Sequence, residues 1–349
     1  MAFHQKPPEN KTAIRKAGRN IANEDALEAD FDLVDRWRSS HSYVINTFQI
    51  WLRRKIIASG LRAEFAQRLK RRNTVIDKLG RKDENGKLLI EDVVSMNDFA
   101  GCRIIFENIE DLNKFRVFMR SNKVTKNVKH TLKYEDTKYD YIENPRKSGY
   151  RGVHVVYKHM PRGAKRKEAR KPWDGLLVEV QYRTKAQHAW ATAVEISDLI
   201  DRENTKFSLK NTERGDFFAI ASELIARKHE GLNKAFLDKS TNELEEMLQI
   251  IEYELEILRR LSVIKKFDGQ KKLRKHSVLH IFYNKKNNLE LDILTFPNSK
   301  KAIEAATELE KDEKTANAVY VHSSNPKQLR SAYRNYFRDT VDFVKLVKQ

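Results

Sequence analysis

The chain has 349 residues and a formal net charge of +19, and its hydrophobic content of 40% excludes wholesale disorder. A single cysteine, Cys102, excludes an internal disulfide framework and fits a reducing, cytoplasmic compartment. No run of 18 apolar residues and no apolar signal core is present, so we expect neither a membrane span nor a secretory signal. So large a positive excess indicates a polyanionic partner, such as a nucleic acid or a nucleotide.

The first eighty residues are predicted to be largely helical. Residues 1–25 are polar and lack a hydrophobic period, so we interpret them as a flexible basic arm. From Phe31 to Leu52 apolar residues recur three or four positions apart, which predicts an amphipathic helix. A second, basic helix is predicted over 61–80, and the glycine-containing, charged stretch 80–95 is predicted to be a mobile loop.

Strand signals dominate the next hundred residues. They lie at Cys102–Phe106, at about 131–142, at Val153–Tyr157 and at Leu176–Tyr182. Helices are predicted over 110–122 and 185–200, and 162–171 is predicted to be a basic loop. This mixture of strands and helices is typical of an α/β or α+β core.

A second, smaller domain is predicted near the C-terminus. Ser240 and Glu243 form a capping box before a long amphipathic helix. The sequence therefore predicts an arm over 1–25, a large domain over 26–265, a charged linker over 266–275 and an α+β module over 276–349. Within the module we predict strands at 278–283 and 289–296, a helix at 299–311, a strand at 318–322, a helix opened by Asn325-Pro326 and a strand at about 340–347.

Residues 176–184 have one apolar and one polar face if they form a strand. Glu179, Gln181 and Arg183 share the polar face, because alternate residues of a strand point the same way. A solvated edge strand and a strand that lines a polar site fit this pattern equally well. Asp98 precedes a neighbouring strand, and two carboxylates on adjacent strands suit a Mg²⁺–nucleotide site. Taken alone, Asp98 is also consistent with a turn or capping residue.

Two further segments suit nucleotide binding. Six basic residues lie in 68–81 with Asp77 as the only acid, which suits phosphate binding but also a solvated helix face. In 143–154, Gly149 and Gly152 would let the backbone approach a ligand, and Tyr150 between them could stack on a base. An ordinary loop tyrosine is the alternative there.

Four short motifs occur in an order similar to the synthetase domain of RelA/SpoT proteins. They are R-x-K-x3-T-V-x2-K-L from Arg68, D-x2-G-x-R from Asp98, Y-I-x2-P-x3-G-Y-x2-V-H from Tyr141, and E-V-Q-x-R-T from Glu179, followed by His188 and Trp190. Together they cover about residues 30–200. The resemblance implies an α+β, nucleotidyltransferase-like mixed β-sheet flanked by helices, and transfer of the β,γ-pyrophosphate of ATP to a 3′-hydroxyl.

The resemblance also implies roles for single residues. Asp98 and Glu179 would hold Mg²⁺, Glu179 could instead activate the acceptor hydroxyl, and Tyr150 would stack on the acceptor base. ATP would be bound by Arg68 and Arg103 at the adenine and by Lys70 and Lys78 at the phosphates. Further acceptor-binding residues would be Arg146, His154, Gln181 and Arg183.

The sequence departs from the family pattern in three places. Asn144 and Arg146 stand where lysines are usual around Pro145, and Tyr182 stands where isoleucine is common. These changes favour an acceptor other than the usual guanine nucleotide. No His-Asp hydrolase motif lies in the residues before Asp98, so we expect no hydrolase activity.

Tyr333 and Tyr336 lie three residues apart in the C-terminal module and would share one face of a helix. A core face is the plain alternative. Such a pair behind a synthetase resembles the CapRel group of fused toxin–antitoxins in anti-phage defence. The resemblance implies that this face covers the ATP site until a phage protein, the major capsid protein in that group, releases it. The freed enzyme, which we expect to be a monomer, would pyrophosphorylate the 3′ CCA end of tRNA and stop translation.

Two other functions stay open on the sequence. The chain could make ppGpp or ppApp alarmones, or it could be a non-catalytic RNA-binding protein. The charge of +19 favours a tRNA acceptor stem, for which the basic segments at 68–72, 120–130 and 162–171 are candidate contacts.

Overall fold

The computed structural model describes residues 5–70, 72–121, 130–160, 172–201, 213–263, 276–285, 289–309, 312, 314–322 and 339–349. The chain divides into two compact units. The first comprises residues 1–141 and 152–184, and the second comprises 142–151 and 185–349. Among the described residues, none of the helices combines the length and the apolar character that crossing a membrane requires.

A five-stranded mixed sheet forms the centre of the first unit. Its strands are β1 (Ala63–Leu69), β2 (Ala100–Phe106), β3 (Thr131–Leu132), β4 (Val153–Lys158) and β5 (Leu177–Thr184), in the spatial order β1-β2-β5-β4-β3. β2 and β5 are parallel, and the other neighbours are antiparallel. The predicted α+β class and mixed sheet are confirmed, as are the strands at 102–106, 153–157 and 176–182.

Helices cover the apolar face of this sheet. The helices of the first unit are α1 (Lys11–Ala22), α2 (Glu28–Ser59), α3 (Arg72–Leu79) and α4 (Ile109–Arg120). In α2 the predicted apolar stripe is buried, including Trp37, Phe48 and Leu52, and the helix packs on β1, β2 and α4. In α4, Phe115 contacts the ring of Tyr182 on β5 at a centroid distance of 5.7 Å. We call this helix-covered side the back face of the sheet and the opposite side the front face.

Three predictions for the first unit are wrong in part. Residues 11–22, predicted to lie in a flexible arm, form helix α1, because Ile14 and Ile21 recur at helical spacing and are buried. Residues 63–69, predicted to be helical, form β1, because they pair along their whole length with β2. Of the strand predicted over about 131–142, only Thr131–Leu132 pairs with β4. The basic loop 162–171 lies outside the described residues.

The second unit combines helices with a small antiparallel sheet. Its elements are α5 (Lys185–Asp201), α6 (Glu213–Glu230), α7 (Thr241–Leu255), α8 (Ile257–Val263), β6 (His276–Tyr283), β7 (Leu289–Phe296), α9 (Ser299–Leu309), β8 (Thr315–His322) and α10 (339–348). The sheet order is β7-β6-β8. Val278, Ala302 and Ala318 form its small core with α9. The predicted hairpin, helix and strand are confirmed, as is the capping box at Ser240.

The C-terminal end of the chain differs from its prediction. The stretch 340–347 was predicted to be a strand and instead lies in helix α10, because Thr340, Phe343 and Val344 share one buried helical face. The long helix after Ser240 is interrupted at Glu256, whose φ is +50°. The linker 266–275 and the helix at Asn325-Pro326 lie outside the described residues, so the domain boundary stays a prediction.

Candidate functional site

The front face of the first unit's sheet gathers most of the polar residues predicted to act. Strand pairing places Glu179 in one row with Arg68, and it places Gln181 in the next row with Arg103 and His154. Paired residues on neighbouring strands point to the same side of a sheet, so these five side chains share the front face. The predicted alternation of β5 is therefore confirmed: Val178, Val180 and Tyr182 are buried on the back face.

Asp98 lies just before β2 and is held by two lysines. Its Oδ2 atom accepts hydrogen bonds from Lys70 Nζ at 2.8 Å and from Lys78 Nζ at 2.9 Å. Burial opposes ionisation of Asp98, but the positive charges of Lys78 and Lys70 outweigh it and lower the carboxyl pKa. Oδ1 of Asp98 is buried and has no hydrogen-bond partner in the described part of the chain. This atom is therefore ready to accept a further ligand.

Glu179 is fixed by two neighbours on the front face. His154 Nδ1 lies 3.2 Å from its Oε1 atom, and Gln181 Nε2 donates a hydrogen bond to Oε2 at 2.7 Å. Burial opposes its ionisation, yet His154 and then Gln181 lower its pKa strongly, so that Glu179 is ionised at neutral pH. Lys70, by contrast, has its pKa lowered by burial, although Asp98 counteracts this.

Gln181 links this carboxylate to two arginines. Its Oε1 atom accepts from Arg103 Nε at 3.4 Å and from Arg183 Nη2 at 3.3 Å. Arg183 is buried, with 2% of the residue exposed, whereas Arg103 is partly exposed. Arg183 therefore serves here to orient Gln181, and Arg103 is better placed to reach a ligand.

The two carboxylates fit Mg²⁺ better than a metal held wholly by protein. The charge of Glu179 acts on Asp98 and raises its pKa, which is the interaction expected of neighbouring carboxylates. Among the described residues, no three His, Cys, Asp or Glu side chains form a group that could hold a metal ion by themselves. Mg²⁺ commonly takes one or two carboxylates and completes its octahedron with waters and substrate phosphates. The residues present match that donor set.

The segment 142–151 belongs to the second unit, and its glycine has a structural role. Gly149 has a φ of +85°, and a Cβ atom there would lie 2.8 Å from Cα of Ala219 on α6. The close approach predicted for a ligand is thus an approach to a helix. Arg146 is exposed, and its backbone closes a turn by accepting from Gly149 N at 2.8 Å.

Arg151 anchors the same segment to α6 and was not identified from the sequence. It forms an ion pair with Glu223 and donates from Nη1 to Ser222 Oγ at 2.7 Å. Ser222 in turn donates to the carbonyl of Gly149 at 2.5 Å. The partners lie more than 70 residues away along the chain, so no local pattern reveals them.

The comparisons with known proteins can now be set beside this geometry. The family described as the region found in RelA / SpoT proteins matches residues 67–199. Residues 67–199 are a RelA/SpoT region. The match covers the lysines, both carboxylates and the arginines of the front face. No curated protein sequence matches the chain.

Several solved structures are similar in fold to the part of the chain that contains the RelA/SpoT region. Small alarmone synthetase 1 from Bacillus subtilis bound to its product pppGpp has 18% identity and a TM-score of 0.41, covering 62% of this chain and 94% of that one. Small alarmone synthetase 2 from Bacillus subtilis has 21% identity and a TM-score of 0.36, covering 61% and 95%. A GTP pyrophosphokinase family protein from Streptococcus pneumoniae has 18% identity and a TM-score of 0.35, covering 63% and 90%.

The remaining predicted residues of the RelA/SpoT region lie in the second unit. Tyr150 is only 6% exposed, and its ring meets that of Trp190 edge-on at 6.3 Å. Trp190 donates to the carbonyl of Phe218 at 2.7 Å. The Tyr150 ring must therefore become more accessible before a base could stack on it. Tyr333 and Tyr336 lie outside the described residues.

Proposed function

We propose that the chain is an ATP-dependent pyrophosphokinase that transfers the β,γ-pyrophosphate of ATP to the 3′-hydroxyl of the tRNA CCA end. The observation that carries the enzymatic part is the pair of ionised carboxylates, Asp98 and Glu179, on the front face of a RelA/SpoT region. Such transfer depends on positioning and on neutralising phosphate charge more than on covalent catalysis.

The lysines at Asp98 supply that neutralisation. Lys70 and Lys78 each place an ammonium group within 3 Å of Asp98 Oδ2, where phosphates bound near the carboxylate would meet them. Arg68 and Arg103 lie in adjacent rows of the same face and can contact the adenine. Asp98 and Glu179 would hold Mg²⁺, which when bound offsets charge on the transferred group.

The two roles open to Glu179 differ in the pKa they need. A general base works best with a pKa near the operating pH, whereas a ligand of Mg²⁺ must stay ionised. The strongly lowered pKa of Glu179 supports binding of the metal. His154, which contacts Glu179 at 3.2 Å, is the neighbouring group able to take a proton from an acceptor hydroxyl.

The choice of tRNA as acceptor is supported by charge. A net charge of +19 exceeds what one nucleotide requires, whereas an acceptor stem presents many phosphates. The alternative is an alarmone synthetase that makes ppGpp or ppApp, for which the same front-face chemistry would serve.

Control by the C-terminal module is supported by the packing of α10 within the second unit. Phe343 is fully buried, and its ring lies 5.9 Å from that of Phe218 on α6. Asp339 lies 3.2 Å from His188 Nε2 on α5, inside the RelA/SpoT region. We include in the proposal that the Tyr333/Tyr336 face blocks the ATP site and that a phage protein, such as a major capsid protein, relieves the block.

One labelling experiment tests these parts together. The full chain is incubated with Mg²⁺, [γ-³²P]ATP, bulk tRNA and guanine and adenine nucleotides, and the products are separated. We expect label on tRNA that depends on an intact CCA end, low in the full chain and raised in a Tyr333→Ala/Tyr336→Ala variant. Label on nucleotides alone would instead identify an alarmone synthetase.

Two variants separate loss of chemistry from loss of folding. Asp98→Asn should lower labelling at least about 100-fold, because it removes a charged group from the site of transfer. Asp111→Asn makes the same change on α4, away from the front face, and should keep the activity of the parent chain. Unchanged labelling in Asp98→Asn would contradict the proposal.

A further inference from the structure

The back face of the first unit carries a cavity of about 600 Å³ that the proposed chemistry does not use. Val155 and Tyr157 of β4 and Tyr182 of β5 line it on the sheet side, and Trp51 of α2 lines another wall. These strand residues alternate with those of the front face, so the sheet itself separates the cavity from Glu179. Its volume falls in the range of small-molecule sites, roughly 300–1,000 Å³.

Two buried polar atoms of its lining residues lack partners. Neither Trp51 Nε1 nor the Tyr182 hydroxyl makes a hydrogen bond to any described residue. The Trp51 ring is held edge-on by His130 at 5.0 Å and by Tyr157 at 5.3 Å, so its orientation is fixed. Buried donors are nearly always satisfied in folded proteins. A fixed indole N–H on the wall of a cavity therefore indicates an acceptor atom on a bound molecule.

The charges around the cavity argue against a phosphate-bearing ligand. Arg116, which lines it, donates to Asp140 Oδ2 at 2.6 Å, and Arg120 is paired with Asp136. Burial, and then His159, lower the pKa of His130 to about 3, so this ring is neutral at pH 7. Both lining arginines are thus already neutralised, and the remaining lining is aromatic or aliphatic in large part.

We propose that this back-face cavity binds a flat, uncharged heteroaromatic molecule of the nucleobase type. Trp51 Nε1 donates to a ring nitrogen or carbonyl of the ligand, the Tyr182 hydroxyl meets a second polar atom, and the aromatic rings of Trp51 and Tyr157 pack against it. The proposal does not depend on the front-face activity.

The test uses the full chain and two probes of matched shape, benzimidazole and indane. Binding is measured by ligand-observed NMR and calorimetry. We expect saturable binding of both, with benzimidazole the tighter. Trp51→Phe keeps the ring and removes the N–H, so it should weaken benzimidazole roughly 5- to 10-fold and leave indane unchanged.

A blocking variant shows where the probes bind. Leu132 lines the cavity and is 45% exposed, so Leu132→Trp can fill the space with little effect on folding, and it should abolish binding of both probes. Val117→Trp adds the same ring at an exposed α4 position that does not line the cavity, and it should bind both probes like the parent. Thermal melts followed by circular dichroism check that each variant is folded.

Three results would overturn the inference. They are no saturable binding of benzimidazole to the parent chain, binding unchanged by Leu132→Trp in a folded protein, and equal weakening of benzimidazole and indane by Trp51→Phe. The last result would reduce Trp51 to a packing residue.

Discussion

Replacing Glu223 by glutamine is expected to destabilise the second unit by about 3–5 kcal/mol, the cost of breaking a buried ion pair. Glu223 is fully buried. Its carboxylate pairs with Arg151 and accepts from Arg227 Nε at 2.9 Å and from the backbone N of Ala235 at 3.3 Å. Glutamine keeps the size but removes the negative charge that compensates two guanidinium groups.

The structure indicates which arginine determines the cost. Arg227 also donates to the carbonyls of Lys239 and Phe236, both at 2.9 Å, so it keeps much of its hydrogen bonding. Arg151 has a side chain only 2% exposed and keeps only the contact with Ser222 that is described above, so its charge would be left buried and uncompensated. At about 1.4 kcal/mol per tenfold, the unfolding equilibrium should shift roughly a hundred- to several-thousand-fold.

The assay is urea unfolding followed by circular dichroism and tryptophan fluorescence, with Glu143→Gln as the matched control. Glu143 pairs with Lys234 at 2.7 Å in the same unit, but these side chains are 55% and 38% exposed. An exposed pair contributes about 0–1 kcal/mol, so the control should unfold close to the parent midpoint. Equal midpoints for the two variants would refute the argument that burial of Glu223 sets the cost.

Two further predictions concern the glycine turn and acid stability. Gly149→Ala should cost about 2–4 kcal/mol, because it combines positive φ with a clash against Ala219. Gly231→Ala, at φ +65° with open space, should cost only about 1 kcal/mol in the same unfolding assay. His41 and His130 have folded pKa values lowered to about 4 and about 3, chiefly by burial, so the unfolded chain binds their protons first as pH falls. Their stabilisation is complete above pH 6.5 and is lost below it, by about 2 kcal/mol each between pH 7 and 5. Melts at both pH values check this, and His41→Asn should remove about half of the difference.

The parts of the fold that were predicted correctly carry a strong local signal. The helix α2 has a long apolar stripe, and β2, β4 and β5 are dense in β-branched and aromatic residues. The polar residues of β5 were placed on one face because strand alternation is fixed by backbone geometry. Most of the front-face site could therefore be read from residue order alone.

The errors arose where partners distant in sequence decide the structure. The segment 63–69 contains good helix formers, yet it pairs with β2 along seven residues, and this ladder outweighs local propensity. Helix α1 was missed because its buried stripe is made of small and few apolar residues among many charges. The β-branched residues of 340–347 suggested a strand, but their burial against α6 follows a helical period.

The segment 143–154 shows why sequence alone did not separate binding from folding. A glycine, an aromatic ring and an arginine in a short loop suit a nucleotide, and the same three residues suit a loop fixed to a helix. Gly149 and Arg151 contact α6, whose residues lie about 70 positions away, and Arg151 is fully engaged there. Arg146, which is exposed in the same loop, has no such duty among the contacts described above. The loop therefore divides its residues between the two tasks, and an acceptor would be met by its exposed side.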